Sequence, residues 1–395
     1  MTIYIIIFVL LIGLSYHYDI RHNKSGYDFW RMIVLISLIL LAGLRNRIGI
    51  DTIRYERAFT EIPNLFSLFR EGVSLDEISQ PLWFLFNSFS KTIYDSFVTV
   101  QLAHAVLFNT LLFNFLKKTT NKQFVSLLFI YCTVWYNFNF EVLRESLCVV
   151  IYLNSLSYLQ KRQFVKYFVI GSIAVFIHWF SFLIIIITPL VVQANRKRLL
   201  AVFILLGSVI LLLDTSSINN YLIRASTYMA LEVSNRIEAY LSHGNLGFIN
   251  ISLLGGVFII ISNIIYPIFI SLKLKDKLYG MLYSRILLLY ILIIPIRMKF
   301  LIFGRYANYL DIILIVYSIN LLFDKKLRSQ ATKYIIISWF IFETYSGITS
   351  FYKPMDVQSI GGVNYDCRYI PYTTVFQESN SDRELLYNSI LGYGF

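Results

Sequence analysis

The stretch Gly43-Leu-Arg-Asn-Arg-Ile-Gly-Ile-Asp-Thr-Ile-Arg-Tyr-Glu-Arg-Ala-Phe59 begins where a long apolar run, Phe29–Leu44, comes to its end. An apolar run that ends in charged residues is typical of a transmembrane helix that reaches the membrane boundary. The stretch therefore predicts a membrane protein. Its charged side chains are the first candidates for a functional site: Arg45, Arg47, Asp51, Arg54, Glu56 and Arg57.

The composition extends this prediction to the whole chain. Of the 395 residues, 57% are hydrophobic and only 15% are charged, whereas soluble domains are about 25% charged. Apolar runs recur throughout, so we expect an all-α integral membrane protein with about twelve transmembrane helices. The predicted spans are 2–16, 29–44, 96–116, 124–136, 142–159, 167–180, 181–192, 199–213, 248–272, 282–296, 300–323 and 334–350.

The positions of the basic residues predict the orientation. Short loops on one side of the predicted spans all carry Lys or Arg clusters, so these loops should face the cytoplasm. They are loops 17–28, 117–122, 160–166, 193–198, 271–280 and 324–333. Both termini then lie on the outer, periplasmic side, with two long polar segments, 45–80 and 214–247. We expect one transmembrane domain, 1–350, followed by a periplasmic tail, 351–395.

The chain lacks the sequence motifs of several classes of enzyme. The three cysteines lack metal-ligand spacing, and no Asp-x-Asp, HExxH or GxxxxGK[ST] motif is present. This argues against metal-assisted transfer from a nucleotide sugar and against ATP hydrolysis, and no metal or other cofactor is expected. The net charge of +12 lies in short loops that set topology, so nucleic acid is not an expected partner.

Basic side chains that the inner loops do not account for gather near the outer membrane boundary. An arginine at this depth is costly unless it faces the bundle interior and meets an anion. The planar guanidinium binds phosphate oxygens bidentately, so the cluster predicts a site for a lipid-linked diphosphate. The candidate diphosphate ligands are Arg45, Arg47, Arg144, Arg297 and Arg305.

Transfer from a diphosphate also needs a base that takes the proton from the attacking hydroxyl. The candidates are His178, Glu145, Asp51 and Glu141, with His178 and Glu145 preferred. For some of the candidate residues, a purely structural role is an alternative hypothesis. Arg47 and Asp51 are four residues apart and suit a helical ion pair. Arg144 could be neutralised by Glu141, with which it is expected to share a helix face, and His178 could bond to backbone alone.

Five motifs, in order along nearly the whole chain, resemble the EpsG family of Wzy-like polysaccharide polymerases. They are Gly43-Leu-Arg45 with Gly49-x-Asp51, Tyr55 and Phe59; Asn139-Phe-Glu-Val-Leu-Arg144-Glu-Ser-Leu; Phe176-Ile-His178-Trp-Phe; Gly304-Arg305-Tyr306 with Tyr309; and Ile370-Pro371-Tyr372. Glu145 stands where the family usually has glutamine, and Trp179 and Phe180 occupy a region that is often small and polar.

The resemblance implies a GT-C-like polymerase in the bacterial inner membrane, with its active site facing the periplasm. Such enzymes make O-antigen, capsule or exopolysaccharide from undecaprenyl-diphosphate-linked oligosaccharides, often beside a chain-length regulator. Tyr55, Tyr306, Tyr309 and Tyr372 would contact sugars, or the tail would be a lid packed on the helices. A flippase or an O-antigen ligase for the same lipid-linked sugars, or a membrane-bound O-acyltransferase, stays an alternative.

Overall fold

The computed structural model describes residues 2–71, 80–212, 253–274, 278–324, 329–352, 369–370 and 372–377. Within these ranges the regular structure is helical, apart from one isolated β-bridge between Arg45 and Thr374. The all-α prediction is therefore confirmed for the described part. The predicted outer segment 214–247 and most of the tail lie outside the described residues.

In the described part of the chain, helices occupy most of each of the twelve predicted apolar stretches, and residues 213 and 248–252 of these stretches lie outside it. Among the residues that the structure describes, five helical segments are long and apolar enough to cross a membrane: Thr2–Ile20, Phe97–Thr119, Gly255–Lys273, Met281–Lys299 and Ile302–Leu322. Three shorter helices are also apolar: Gln123–Thr133, Phe164–Ile177 and Ser181–Gln193. Insertion of twelve spans and the periplasmic position of the termini stay predictions.

The chain divides into two compact units. The first comprises Met1–Leu183 and Leu322–Phe395, and the second comprises Ile184–Leu321. The helices that begin in the first unit are α1 (Thr2–Leu14), α2 (Tyr27–Gly43), α3 (Ile50–Glu61), α4 (Leu65–Glu71), α5 (Pro81–Ile93), α6 (Phe97–Thr119), α7 (Gln123–Thr133), α8 (Leu143–Gln160), α9 (Phe164–Ile177), α10 (Ser181–Gln193) and α17 (Gln330–Tyr352). A π-helical turn, Ser15–Ile20, continues α1, and another, Asn137–Glu141, precedes α8.

The core of the first unit combines close helix packing with buried polar contacts. At Gly43, the last residue of α2, a Cβ would lie 3.0 Å from the Cα of Leu102, so this glycine lets α2 approach α6. The buried indole of Trp135 donates to the side-chain oxygen Oδ1 of Asn109 at 2.9 Å, and Nδ2 of Asn109 donates to Oδ1 of Asn139 at 3.2 Å. Buried polar groups are stable only when bonded, and this network fixes α6 against the turn before α8.

The second unit has its own helices: α11 (Arg196–Leu212), α12 (Leu253–Ile260), α13 (Tyr266–Lys273), α14 (Leu278–Leu287), α15 (Tyr290–Lys299) and α16 (Arg305–Leu322). Hydroxyl groups join them across the interior. Ser271 Oγ donates to the Ser284 carbonyl at 2.6 Å, and the rings of Tyr283 and Tyr317 stack with centroids 4.4 Å apart. These contacts tie α13 to α14 and α14 to α16.

Candidate functional site

Arg45 follows α2 directly and is completely buried. Its Nη1 donates to the Ala42 carbonyl, its Nη2 donates to Thr52 Oγ1 at 3.2 Å, and its guanidinium carbon lies 5.1 Å from the Phe140 ring centroid. Desolvation lowers the pKa of Arg45 to about 10, so the side chain is still a cation at neutral pH. Arg45 thus connects the end of α2 to α3 and to the 137–141 turn.

Arg47 lies before α3, and its backbone is left-handed with φ +48°. Its guanidinium forms a two-point ion pair with Glu56, with Nε 3.0 Å from Oε2 and Nη2 3.2 Å from Oε1. Asp51 lies 3.6 Å from Arg54, one turn further along α3. Because α3 begins at Ile50, Arg47 lies outside the helix that carries Asp51. The structural alternative, a helical ion pair between Arg47 and Asp51, is therefore wrong.

Glu141 reaches the N-terminus of α3. Its Oε2 accepts the backbone N–H of Asp51 at 3.1 Å, and the side chain is buried. Gly49 makes this approach possible. It has φ +90°, and a Cβ there would lie 2.6 Å from the Phe140 carbonyl oxygen and 3.0 Å from Glu141 Oε1. The carboxylate interacts favourably with the N-terminal dipole of α3.

Glu141 and Arg144 lie in different elements. The helical path is interrupted at Val142, with φ −92° and ψ 56°, between the 137–141 turn and α8. The expected common face that would carry both residues is therefore absent, because the interruption changes the direction of the chain. Glu141 turns to α3, whereas Arg144 turns to Gln80.

Arg144 is half-buried and contacts neutral groups. Its Nη1 donates to Gln80 Oε1 at 2.8 Å, and its guanidinium carbon lies 5.3 Å from the centroid of Tyr55. The Tyr55 ring in turn packs edge-on against Trp83 at 5.7 Å. In the described ranges no carboxylate oxygen lies within 4.0 Å of Arg144, so the ion pair that could have neutralised it with Glu141 is not formed.

His104 on α6 is a buried polar residue that the sequence reading missed. Its Nε2 lies 3.1 Å from the Leu143 carbonyl oxygen and 2.9 Å from Ser146 Oγ, at the start of α8. Since a carbonyl only accepts, we assign the hydrogen to Nε2. Glu145, a predicted base, is buried in this same first turn of α8. The sequence signal that could have identified His104 is an imidazole within an apolar run, because such a group needs a hydrogen-bond partner inside a membrane protein.

His178 ends helix α9. Its backbone N–H donates to the Ala174 carbonyl at 2.9 Å, and its carbonyl accepts both the N–H and the hydroxyl of Ser181, at 3.0 and 2.9 Å. The imidazole is buried and stacks on Phe180 with centroids 5.9 Å apart. His178 therefore occupies the connection between α9 and α10.

The candidates of the second unit lie around the start of α16. Arg305 is its first residue, and a Cβ on the preceding Gly304 would lie 3.1 Å from Arg297 Cδ and Nε, so Arg297 packs over this turn. Tyr290 donates to Asp311 at 2.5 Å. Two predicted sugar-contacting residues in α16 are buried: Tyr306 and Tyr309.

The tail adds Tyr369 and Tyr372 to the first unit. Tyr372 donates to the Leu41 carbonyl at 2.9 Å, and burial raises the pKa of its phenol to about 12, against the opposing effect of Arg45. Tyr369 is buried and stacks on Tyr136. Pro371 of the tail motif lies outside the described part.

Seven predicted residues of the first unit are therefore connected around α3. We call them the α3 cluster: Arg45, Arg47, Asp51, Tyr55, Glu141, Arg144 and Tyr372. Arg297, Arg305, Tyr306 and Tyr309 belong to the second unit. Among the described residues, no group of three or more His, Cys, Asp or Glu side chains is arranged to hold a metal ion.

Comparison with known proteins gives one match. The family model described as the EpsG family matches residues 28–358, which is most of the chain and includes the α3 cluster except Tyr372. No curated protein and no solved structure matches the chain.

Proposed function

The chain belongs to the EpsG family, whose members are Wzy-type polymerases, and on that premise we propose that it polymerises a lipid-linked glycan. The growing glycan is transferred from undecaprenyl diphosphate to the terminal sugar of another lipid-linked repeat unit. The reaction takes place at the periplasmic face of the inner membrane. A membrane polysaccharide polymerase is what the family assignment supports, and the lipid carrier, the reaction and the side are our proposal.

Arg144 is the observation that carries the proposal within the α3 cluster. Gln80 and the Tyr55 ring hold its guanidinium without a carboxylate within 4.0 Å in the described ranges. Charge-assisted hydrogen bonds to phosphate are stronger than neutral ones, and a half-buried cation gains most from such a partner. Arg144 is therefore the residue of this cluster that is best suited to a diphosphate. Arg47, by contrast, is already bound to Glu56.

We propose the following transfer reaction. The acceptor hydroxyl oxygen forms a bond to the anomeric carbon of the donor, and the bond from that carbon to the diphosphate oxygen breaks. Arg144 stabilises the charge on the departing undecaprenyl diphosphate. We assign the hydroxyl proton to Asp51, which is half-exposed and lies four residues before Tyr55, on the same face of α3. Buried His178 and Glu145 are the alternative bases.

The second unit supplies the remaining candidates. Arg297 and Arg305 would bind the diphosphate of the other lipid-linked substrate, and a polymerase needs two such sites because donor and acceptor both carry a lipid. Tyr55 and Tyr372, which are half-buried, would contact sugars, and buried Tyr306 and Tyr309 would have to become exposed to do so. These roles rest on the resemblance and on residue chemistry.

Deletion of the gene followed by a polysaccharide gel tests the function. A polymerase is expected to lose the ladder while one repeat unit is retained. Loss of that single unit as well would point to a flippase or a ligase, and a full ladder in the deletion strain would refute the proposal. Complementation with Arg144→Ala should leave the ladder absent although the protein inserts at the wild-type level. Arg70→Ala, on an exposed position of α4, is the matched control and should restore it.

A further inference from the structure

The tail returns to the opening stretch and pairs with it at one isolated β-bridge. We call residues 372–377, the last three of which form a turn, the tail strand. The Asn46 N–H donates to the Thr373 carbonyl at 2.9 Å, and the Val375 N–H donates to the Leu44 carbonyl at 3.0 Å. Arg45 and Thr374 face each other as an antiparallel pair between these two bonds. An extended peptide that pairs with a free backbone edge gains affinity from these main-chain bonds.

Side chains strengthen this docking on both sides of the strand. Tyr372 donates to Leu41, and Thr373 Oγ1 donates to the Asn46 carbonyl at 3.1 Å. The carbonyl of buried Tyr369 accepts from the Tyr4 hydroxyl at 2.9 Å. The tail is thus bonded to α1, to the end of α2 and to the turn after it.

With the tail strand docked, Arg45 is inaccessible to solvent. The side chain has 0% exposure, and two of its nitrogen atoms already donate to acceptors of the protein, Ala42 and Thr52. In the described part its Nε has no hydrogen-bond partner and no carboxylate lies within 4.0 Å. A diphosphate could reach this guanidinium only if the groups that cover it moved. The tail strand, which pairs with the backbone of Arg45, is the segment whose release can be tested.

Arg45 is instead connected to the residues proposed to act on substrate. Thr52, which accepts from Arg45, donates to the Phe140 carbonyl at 2.5 Å. The next residue, Glu141, accepts from the backbone of Asp51. This bonded path fixes the first turn of α3, which holds the proposed base.

We infer that the tail strand is a permanent part of this site and that Arg45 is a positioning residue for α3, not a ligand of the substrate. The inference rests on the proposed function, since the reaction that Arg45 supports is glycan transfer. It differs from the sequence expectation, in which Arg45 binds diphosphate directly. It also assigns the tail a fixed structural role in the site.

A covalent lock tests whether the tail strand ever has to leave. Cysteines at Asn46→Cys and Thr373→Cys, in a Cys367→Ser background, are bridged by a short bifunctional methanethiosulfonate that a reductant reverses. Mass spectrometry of the linked peptides shows whether the bridge has formed. We expect the bridge to form and the bridged protein to keep its transfer rate within about twofold. The controls are the two variants that carry only one of the introduced cysteines, each treated with the same reagent.

Two outcomes would overturn the inference. One is a bridged protein that loses transfer and regains it on reduction, because the tail strand would then have to open. The other is the absence of a bridge between the two cysteines, because the strand would then not be docked at Asn46. Mass spectrometry detects the linked peptides independently of any activity assay. Failure of the proposed function, seen as a full ladder in the deletion strain, is therefore distinguishable from failure of this inference.

Kinetics separate positioning from binding. The variant Arg45→Gln is reconstituted in proteoliposomes with lipid-linked repeat units extracted from the deletion strain. We expect its maximal rate to fall about tenfold or more with the donor KM unchanged within about twofold. A donor KM raised about tenfold with the maximal rate retained would instead make Arg45 a substrate ligand. Phe376→Ala, at an 81% exposed position of the tail strand, is the control and should behave as wild type.

Discussion

The backbone amide of Asp51 donates to the carboxylate of Glu141, which lies ninety residues later in the sequence. This contact joins the first turn of α3 to the turn that precedes α8. It places a buried negative charge where the helix dipole stabilises it. Glu141 therefore has a structural task that a residue free to exchange protons with substrate would not have.

Substitution of Glu141 separates these two tasks. Glu141→Gln keeps an oxygen acceptor for the Asp51 amide but is not a base, so we expect the polysaccharide ladder to persist. Glu141→Ala leaves the amide without its acceptor and should destabilise the protein by about 1–3 kcal/mol. Thermal unfolding in detergent and polysaccharide gels measure the two effects. A folded Glu141→Gln protein that makes no ladder would transfer the role of base to Glu141.

Substitution of Gly49 should lower the stability of the protein for a purely steric reason. Gly49→Ala would place a Cβ 2.6 Å from the Phe140 carbonyl oxygen, at a residue with φ +90°. We expect a loss of about 2 kcal/mol or more, because strain and overpacking act together. Thermal unfolding by fluorescence-detected gel filtration measures it. Gly13→Ala in α1 is the control, since no atom lies within 4 Å of its Cβ, and equal melting temperatures for both variants would contradict the prediction.

The helices of the apolar runs could be predicted from the sequence because each depends on a local property, whereas α3 and α4, within the predicted polar segment 45–80, were not predicted. Every predicted apolar stretch is helical, since a run of apolar residues must satisfy its own backbone hydrogen bonds. The interruption at Val142 was not visible, because a single residue outside the helical region leaves no compositional signal. The predicted common face of Glu141 and Arg144 failed at this residue.

The site was predictable in its residue types and only partly in its geometry. Arg47 was predicted as a diphosphate ligand, with a helical ion pair to Asp51 as the structural alternative, whereas it binds Glu56 from a left-handed turn. Arg45 forms a backbone bridge with Thr374, more than three hundred residues away, and no local pattern encodes this pairing. His104 was overlooked because its partners lie on another helix.

At His104, a substitution of similar shape should restore the stability that a smaller one removes. His104→Ala removes the donor to the Leu143 carbonyl and leaves a cavity, so we expect a loss of about 2–4 kcal/mol. His104→Gln brings an amide N–H close to the position of Nε2 and should recover most of that stability. Thermal unfolding distinguishes the two. Val106→Ala, at an exposed position of the same helix, should be near neutral, and a Gln variant no better than Ala would refute the donor role.

Gln80 offers the sharpest test of Arg144. In Gln80→Glu a carboxylate replaces the amide oxygen that lies 2.8 Å from Arg144 Nη1, so an ion pair forms without a change in shape. If Arg144 acted only in folding, this pair would leave polymer formation intact. Since we propose that Arg144 binds a diphosphate, the new carboxylate competes with the substrate, and transfer at a low donor concentration should fall about tenfold for each 1.4 kcal/mol of competition.

The measurement is the initial transfer rate in proteoliposomes as the concentration of the lipid-linked donor is raised. Competition predicts an increase in the donor KM of Gln80→Glu with a largely unchanged maximal rate, because the charge of Arg144 is still present once the substrate has displaced the carboxylate. Gln80→Met, which has a similar size and no charge, controls for the loss of the amide. It should affect the donor KM less than Gln80→Glu does. An equal effect of the two variants would mean that the amide contact, and not the availability of the charge, is what Arg144 requires.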